Sequence, residues 1–299
     1  MQTDRVHANQ SVSINSNYQK ARSPWMEGWR RLRKQKAALI GGGIVILFVL
    51  IGLLAPVLAP YDPTEQNLKI NLQPPSSDHW LGTDDAGRDV FSRLLYGARI
   101  SLTIGFFSVI GSLVIGGLLG LLAGYFGKWI DTLISRLFDM MLAFPSILLA
   151  IAIVAILGPG LFNALLAIAI INIPTFGRLI RSRVLSVKQE EYIMAARAQG
   201  MTQWRLIFRH VLPNSWVPLI VQGTLGIGTA VLDAAALGFL GLGAQPPDAE
   251  WGKMLSDAKG YITNAPWLML CPGIAIMLSV LGFNMFGDGL RDALDPKER

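Results

Sequence analysis

Apolar residues fall into six long blocks, at 37–59, 100–126, 137–157, 161–177, 217–243 and 266–286, separated by polar segments. A helix needs about 20 mainly apolar residues to cross the hydrocarbon core of a bilayer. The pattern therefore predicts an all-α integral membrane protein of six transmembrane helices. The first block is free of charge, the third contains Asp139 and Pro145, and the fifth carries Asp233. Gly158, Pro159 and Gly160 mark a tight turn between the third and fourth blocks. Pro145, Pro174 and Pro272 are expected to kink the helices that contain them.

The second block has its own internal pattern. Ser108, Ser112, Gly116, Gly120 and Gly124 recur every four residues and share one helix face. Lipid tails supply no hydrophobic drive between helices, so such small-residue faces let backbones approach closely. The stripe predicts a tight contact, either inside the bundle or with a partner subunit.

Composition supports lipid as the solvent. Of the 299 residues, 52% are hydrophobic and only 15% charged, against about a quarter charged in soluble domains. The mean hydropathy is +0.44. The net charge of +6 does not point to nucleic acid, because its cations are sorted by loop. Arg30, Arg31, Arg33, Lys34 and Lys36 precede the first block; Lys128, Arg136, Arg178, Arg181, Arg183, Lys188, Arg197, Arg205 and Arg209 occupy alternate loops. The intervening loops are acidic, with Asp62, Glu65, Asp78, Asp84, Asp85, Asp89, Asp248, Glu250 and Asp257. Cationic loops stay in the cytoplasm, so both termini are expected there. The first apolar run is too long, and starts too far in, for a cleaved signal peptide. The lone Cys271 has no disulfide partner within the chain.

This divides the chain into a flexible cytoplasmic tail (1–36), a first helix (37–60) and an extracytoplasmic segment (61–97). A five-helix domain (98–290) and a cytoplasmic C-terminus (291–299) follow.

The loop 190–214 is too polar to cross a membrane. A short helix over 190–199, with Gly200 in the left-handed position that closes it, leads to a second helix capped by Thr202 and ended by Pro213. Ala195, Ala196 and Ala198 form a low-relief patch, and Arg197 offers a fork of donors. Docking to another protein and resting among lipid headgroups are both compatible with these residue types.

Other chemistry is sparse. Thr83 or Asp84 is expected to cap the helix leading into the second block, with Asp85, Arg88 and Asp89 as exposed charges. Asp139 lies one turn from Arg136, which predicts an intrahelical pair. Asp233 has no local partner, and intramembrane acids usually face a bundle interior or a wet cavity; it is a candidate pathway residue. His7, His79 and His210 lie outside the blocks, which supports no histidine metal site, and no cofactor is expected. Neither Gly127-Lys128 nor Gly252-Lys253 has the glycine and hydroxyl residue of a phosphate-binding loop.

The spacing Met194-Ala195-Ala196, Gly200, His210-Val211-Leu212-Pro213 resembles the EAA loop of ABC importer permeases. Met194 stands where that pattern has glutamate and His210 where it has isoleucine. HWLGTDDAGRDVFSRLLYGARIS at 79–101, GFLGLGAQPPDAEWGKML at 238–255 and FNMFGDGLRDALDP at 283–296 resemble the dipeptide/oligopeptide branch, which also carries nickel and glutathione. The resemblance implies a type I importer permease fold and the C-type subunit of a binding-protein-dependent importer of dipeptides or oligopeptides. It also implies that Glu191, Ala195, Ala196, Arg197, Gly200 and Pro213 dock an ATPase; the segment with Asp85, Arg88 and Asp89 reads either as a plain turn and cap or as a landing surface for a substrate-binding protein. The implied partners are a second homologous permease, two ABC ATPase subunits, an extracytoplasmic binding protein and membrane lipid; ATP hydrolysis resides on separate subunits. The rival reading is a secondary transporter or channel, which would want a midplane chain of acids or inverted repeats. A membrane-embedded enzyme would want a nucleophile–base or metal-ligand cluster. The sequence offers neither.

Overall fold

The computed structural model describes residue 30 and residues 32–294. The expected flexible tail lies largely outside the described residues, as do 295–299 of the expected C-terminus. Among the described residues the regular structure is helical, apart from one isolated bridge between Thr83 and Asp89. The long helices are α1 (Lys36–Leu58), α2 (Val90–Phe126), α3 (Lys128–Leu142), α4 (Ser146–Leu157) and α5 (Leu161–Val187). A short α6 (Glu191–Ala198), the long α7 (Gln203–Phe239), a short α8 (Trp251–Asp257) and α9 (Trp267–Leu294) complete the bundle.

Five helices are each long and apolar enough to cross a membrane, and α3 with α4, bent by 92° at their junction, is together long and apolar enough for a broken span or a re-entrant loop. The expectation of one helix over 137–157 is thus corrected. The break falls at Pro145, whose own backbone is extended, and proline also disfavours helical geometry in the residue before it, Phe144. The two arms also differ in kind. α3 turns Ile134 and Phe138 inward and leaves Trp129, Leu133 and Met140 exposed, whereas α4 is apolar on every side. Pro174 and Pro272 lie inside α5 and α9 without breaking either.

Several helices outrun their apolar blocks. α2 begins at Val90, α5 reaches Val187 and α9 reaches Leu294, because hydropathy marks the part of a helix in lipid rather than where its hydrogen bonding ends.

The α2–α5 seam is the centre of the molecule. Ser108, Ser112, Gly116, Gly120 and Gly124 are all buried along it. A methyl group on Gly120 would overlap the carbonyl oxygen of Gly177, and Ser108 donates to the carbonyl of Leu165 at 3.2 Å. The stripe therefore makes a contact within the bundle. α5 and α7 bury half of their apolar windows, against 22% for α1, which rides on α9 at the periphery.

Candidate functional site

At one end of the bundle, the chain from α5 to α7 folds into a helical hairpin. α6 closes through Gly200 at φ +79°, whose N–H bonds the carbonyl of Arg197 at 3.0 Å; Met201 reaches back to Ala196 at 3.2 Å. This is a left-handed helix termination of the kind glycine favours. Thr202 takes the next cap position with extended backbone, but its side chain makes no capping bond. The second helix does not end at Pro213 as expected. One π turn, Ile207–Val211, carries it directly into the membrane part of α7, with Leu212 N–H bonding Ile207. The wider turn accommodates a proline that lacks a donor and would crowd the preceding carbonyls of an ordinary helix.

The hairpin has two faces. Ile193, Ala196, Leu206, Ile207 and Val211 are buried in the main core. Ala196 is thereby removed from the docking surface expected of it. Glu191, Ala195, Arg197, Gly200 and Pro213 are exposed. They share the outer face with Tyr192, Met194, Trp204 and Phe208, the last two stacked at 6.1 Å. Sequence reasoning did not assign these four large apolar groups to the docking face. Trp204 and Phe208, one turn apart in a polar segment, were the available signal.

The hairpin is anchored at its root. Lys188, just past α5, donates to the carbonyl of Tyr125 at the end of α2 at 2.5 Å. Burial, and then the charge of Arg197, hold the Lys188 ammonium below its ordinary pKa. Higher on α5, Arg181 grips Asp131 of α3 through two bonds of 2.5 and 2.8 Å. Arg178 pairs with Asp139 at 2.5 Å. The expected Arg136–Asp139 pair is corrected: a guanidinium across the α3–α5 interface takes that carboxylate.

The opposite end is a clasp of two loops. Asp89, not Thr83 or Asp84, caps α2, accepting from Ser92 N–H at 2.7 Å while holding His79 at 2.9 Å. Asp84 accepts from Arg88 at 2.7 Å and lies 3.4 Å from Arg93, which also donates to the carbonyls of Pro63 and Pro247. Arg88 and Asp89 are buried, so their expected exposure is corrected; Asp85 remains partly exposed. Buried charges need partners, and a compact turn supplies them from its own residues. Asp62, Glu65, Asp78 and Asp248 are the acids that stand exposed around this end. Beneath them Glu250, 1% exposed, caps α8 through Gly252 and Lys253 N–H at 2.8 Å each and accepts from Ser101 at 3.3 Å.

Asp233 lies on α7 between these two ends, half-buried and with no hydrogen-bond or ion-pair partner among the described residues.

Residues 116–299 match the family of binding-protein-dependent transport system inner membrane components, and residues 23–75 match the N-terminal TM domain of oligopeptide transport permease C. The chain is 64% identical to the dipeptide transport system permease protein DppC of Alkalihalophilus pseudofirmus, covering 92% of this chain and 90% of that one. It is 53% identical to the di/tripeptide transport system permease protein DppC of Pseudomonas aeruginosa (92% and 93%). It is 50% identical to the glutathione transport system permease protein GsiD of Pectobacterium atrosepticum (92% of each). Its fold is similar to a chain of the inward-facing MetNI methionine ABC transporter, with TM-score 0.56, 22% identity and coverage of 68% and 96%.

Proposed function

This chain belongs to the family of binding-protein-dependent transport system inner membrane components, and on that premise we propose that it is the C-type permease of an ATP-driven importer of dipeptides or oligopeptides. It is a multi-pass membrane subunit, and its chemistry is transport. The 64% identity to a dipeptide permease over nearly the whole chain favours a peptide ligand. Glutathione, itself a small peptide, is the second reading, favoured by the 50% identity to a glutathione permease.

The observation that carries the mechanism is the two-faced hairpin. Its inner face is welded into the core, so a force applied to it moves α5 and α7 as well. Its outer face, with Glu191, Ala195, Arg197, Gly200 and Pro213 set among Tyr192, Met194, Trp204 and Phe208, is apolar surface on an element too polar for lipid. That combination suits a cleft on an ATPase subunit in the cytoplasm, with both termini on the same side. ATP-driven closure of two such subunits would bias this bundle and a second, homologous permease between two access states. At the other end, Asp85 and the exposed acids Asp62, Glu65, Asp78 and Asp248 would face the binding protein.

The test is co-purification of the assembled complex. Ala195→Trp combined with Arg197→Glu should release the ATPase subunits while the two permeases stay together. Retention of the ATPases by that variant would remove the hairpin from the coupling interface.

A further inference from the structure

The uncovered face of α7 is polar in one narrow lane. At about 100° per residue, Gln222, Thr229 and Asp233 fall within about 40° of arc and span about 16 Å along the axis. Gly226 lies between them on the same line, and neither Thr229 nor its neighbour Leu232 is covered by the chain. The opposite side of α7, with Gly228, Val231, Ala235 and Gly238, is buried. Apolar surface flanks the lane on both sides. On one flank Gly226 stands against the Phe176 ring of α5. On the other, Leu232 and Ala236 line a groove of about 600 Å³ against Ile276, Met277 and Val280 of α9.

An acid on a membrane helix is retained only where charge or water meets it. Among the described residues no cation pairs with Asp233, unlike Asp131 and Asp139, each of which holds an arginine. We propose that Gln222, Thr229 and Asp233 form a polar lane through which the ligand passes, with Asp233 as the counter-charge for the ligand's protonated amine. Dipeptides and glutathione share that ammonium group, so the lane suits the whole ligand class and reads its charged end. Gln222 and Thr229 offer donors and acceptors to the amide that follows. This assignment rests on the transport reading above.

The test uses the full complex in proteoliposomes, with Cys271, the chain's single cysteine, replaced by Ser. A membrane-impermeant cationic thiol reagent should label Thr229→Cys and Asp233→Cys. Ile110→Cys, exposed on a face without polar neighbours, should stay unlabelled. Alanyl-alanine with ATP should slow labelling of Thr229→Cys at least threefold. Asp233→Asn should lower alanyl-alanine uptake about tenfold with binding-protein-stimulated ATP hydrolysis retained, and Asp233→Glu should restore most of it. Unlabelled cysteines at 229 and 233, or unchanged uptake in Asp233→Asn, would overturn the lane. So would loss of the second permease from Asp233→Asn, which would make the acid an interface residue. If the wild-type complex moves no peptide, the transport reading fails instead; labelling still decides whether the lane is wet.

Discussion

Arg181 of α5 and Asp131 of α3 meet end to end, two guanidinium nitrogens on two carboxylate oxygens at 2.5 and 2.8 Å. Because α5 runs on into the hairpin, this pair ties the first arm of the bent segment to the element that would receive force from the ATPase. Planar two-point geometry makes it stronger than a single contact, although both side chains are partly exposed. Arg181→Ala and Asp131→Ala should each lower stability by about 1 kcal/mol, and the double variant should cost no more than the worse single one. Thermal unfolding of the four proteins in one detergent measures this; additive losses would show the contact contributes nothing.

Gly120→Ala should damage the α2–α5 seam, because its methyl meets backbone that cannot step aside. The expected loss is on the order of 1–3 kcal/mol. Gly117→Ala, on the same helix with open space around it, should leave the melting temperature unchanged or slightly raised. Equal behaviour of the two variants would refute the packing account.

Gly200→Ala has room for its methyl but not the right backbone, since φ is +79°. It should cost about 1 kcal/mol, locally. The bundle should melt nearly as before, while protease nicking within 199–203 rises and ATPase co-purification weakens. Gly200→Asn, which tolerates the left-handed region better, should lie between the two.

Glu250 gives a pH signature outside the spans. Burial pushes its carboxyl up from the ordinary glutamate value, against the opposing bonds from Gly252, Lys253 and Ser101. The folded state therefore holds that proton more tightly than the unfolded chain does. Its contribution is fully present below the unfolded pKa and is lost as pH rises through the folded one. Melting temperatures of wild type should fall with rising pH more steeply than those of Glu250→Gln; parallel curves would contradict this.

Much of the bundle was legible from residue order. Charge-free runs long enough for a bilayer announce themselves, because lipid imposes one requirement on every residue in them. Small residues at fourth positions announced the α2 seam for the same reason, and Gly200 announced its turn through its freedom at positive φ. Where hydropathy and hydrogen bonding part company, sequence misled. The helix leading into the second block was expected, yet its cap, placed at Thr83 or Asp84 from sequence, falls at Asp89, which accepts from the N–H of Ser92. The π turn that carries α7 past Pro213 leaves no mark in the composition.

What the amino-acid order determined by itself was the count of apolar blocks, the sorting of charge between loops and the position of the hairpin; all follow from local chemistry. The tertiary structure alone decided the partners. It gave Asp139 to Arg178 rather than Arg136, buried Arg88, Asp89 and Ala196, and left Asp233 without a partner among the described residues. Which charges meet depends on how distant helices pack, and distance along the chain carries no record of that.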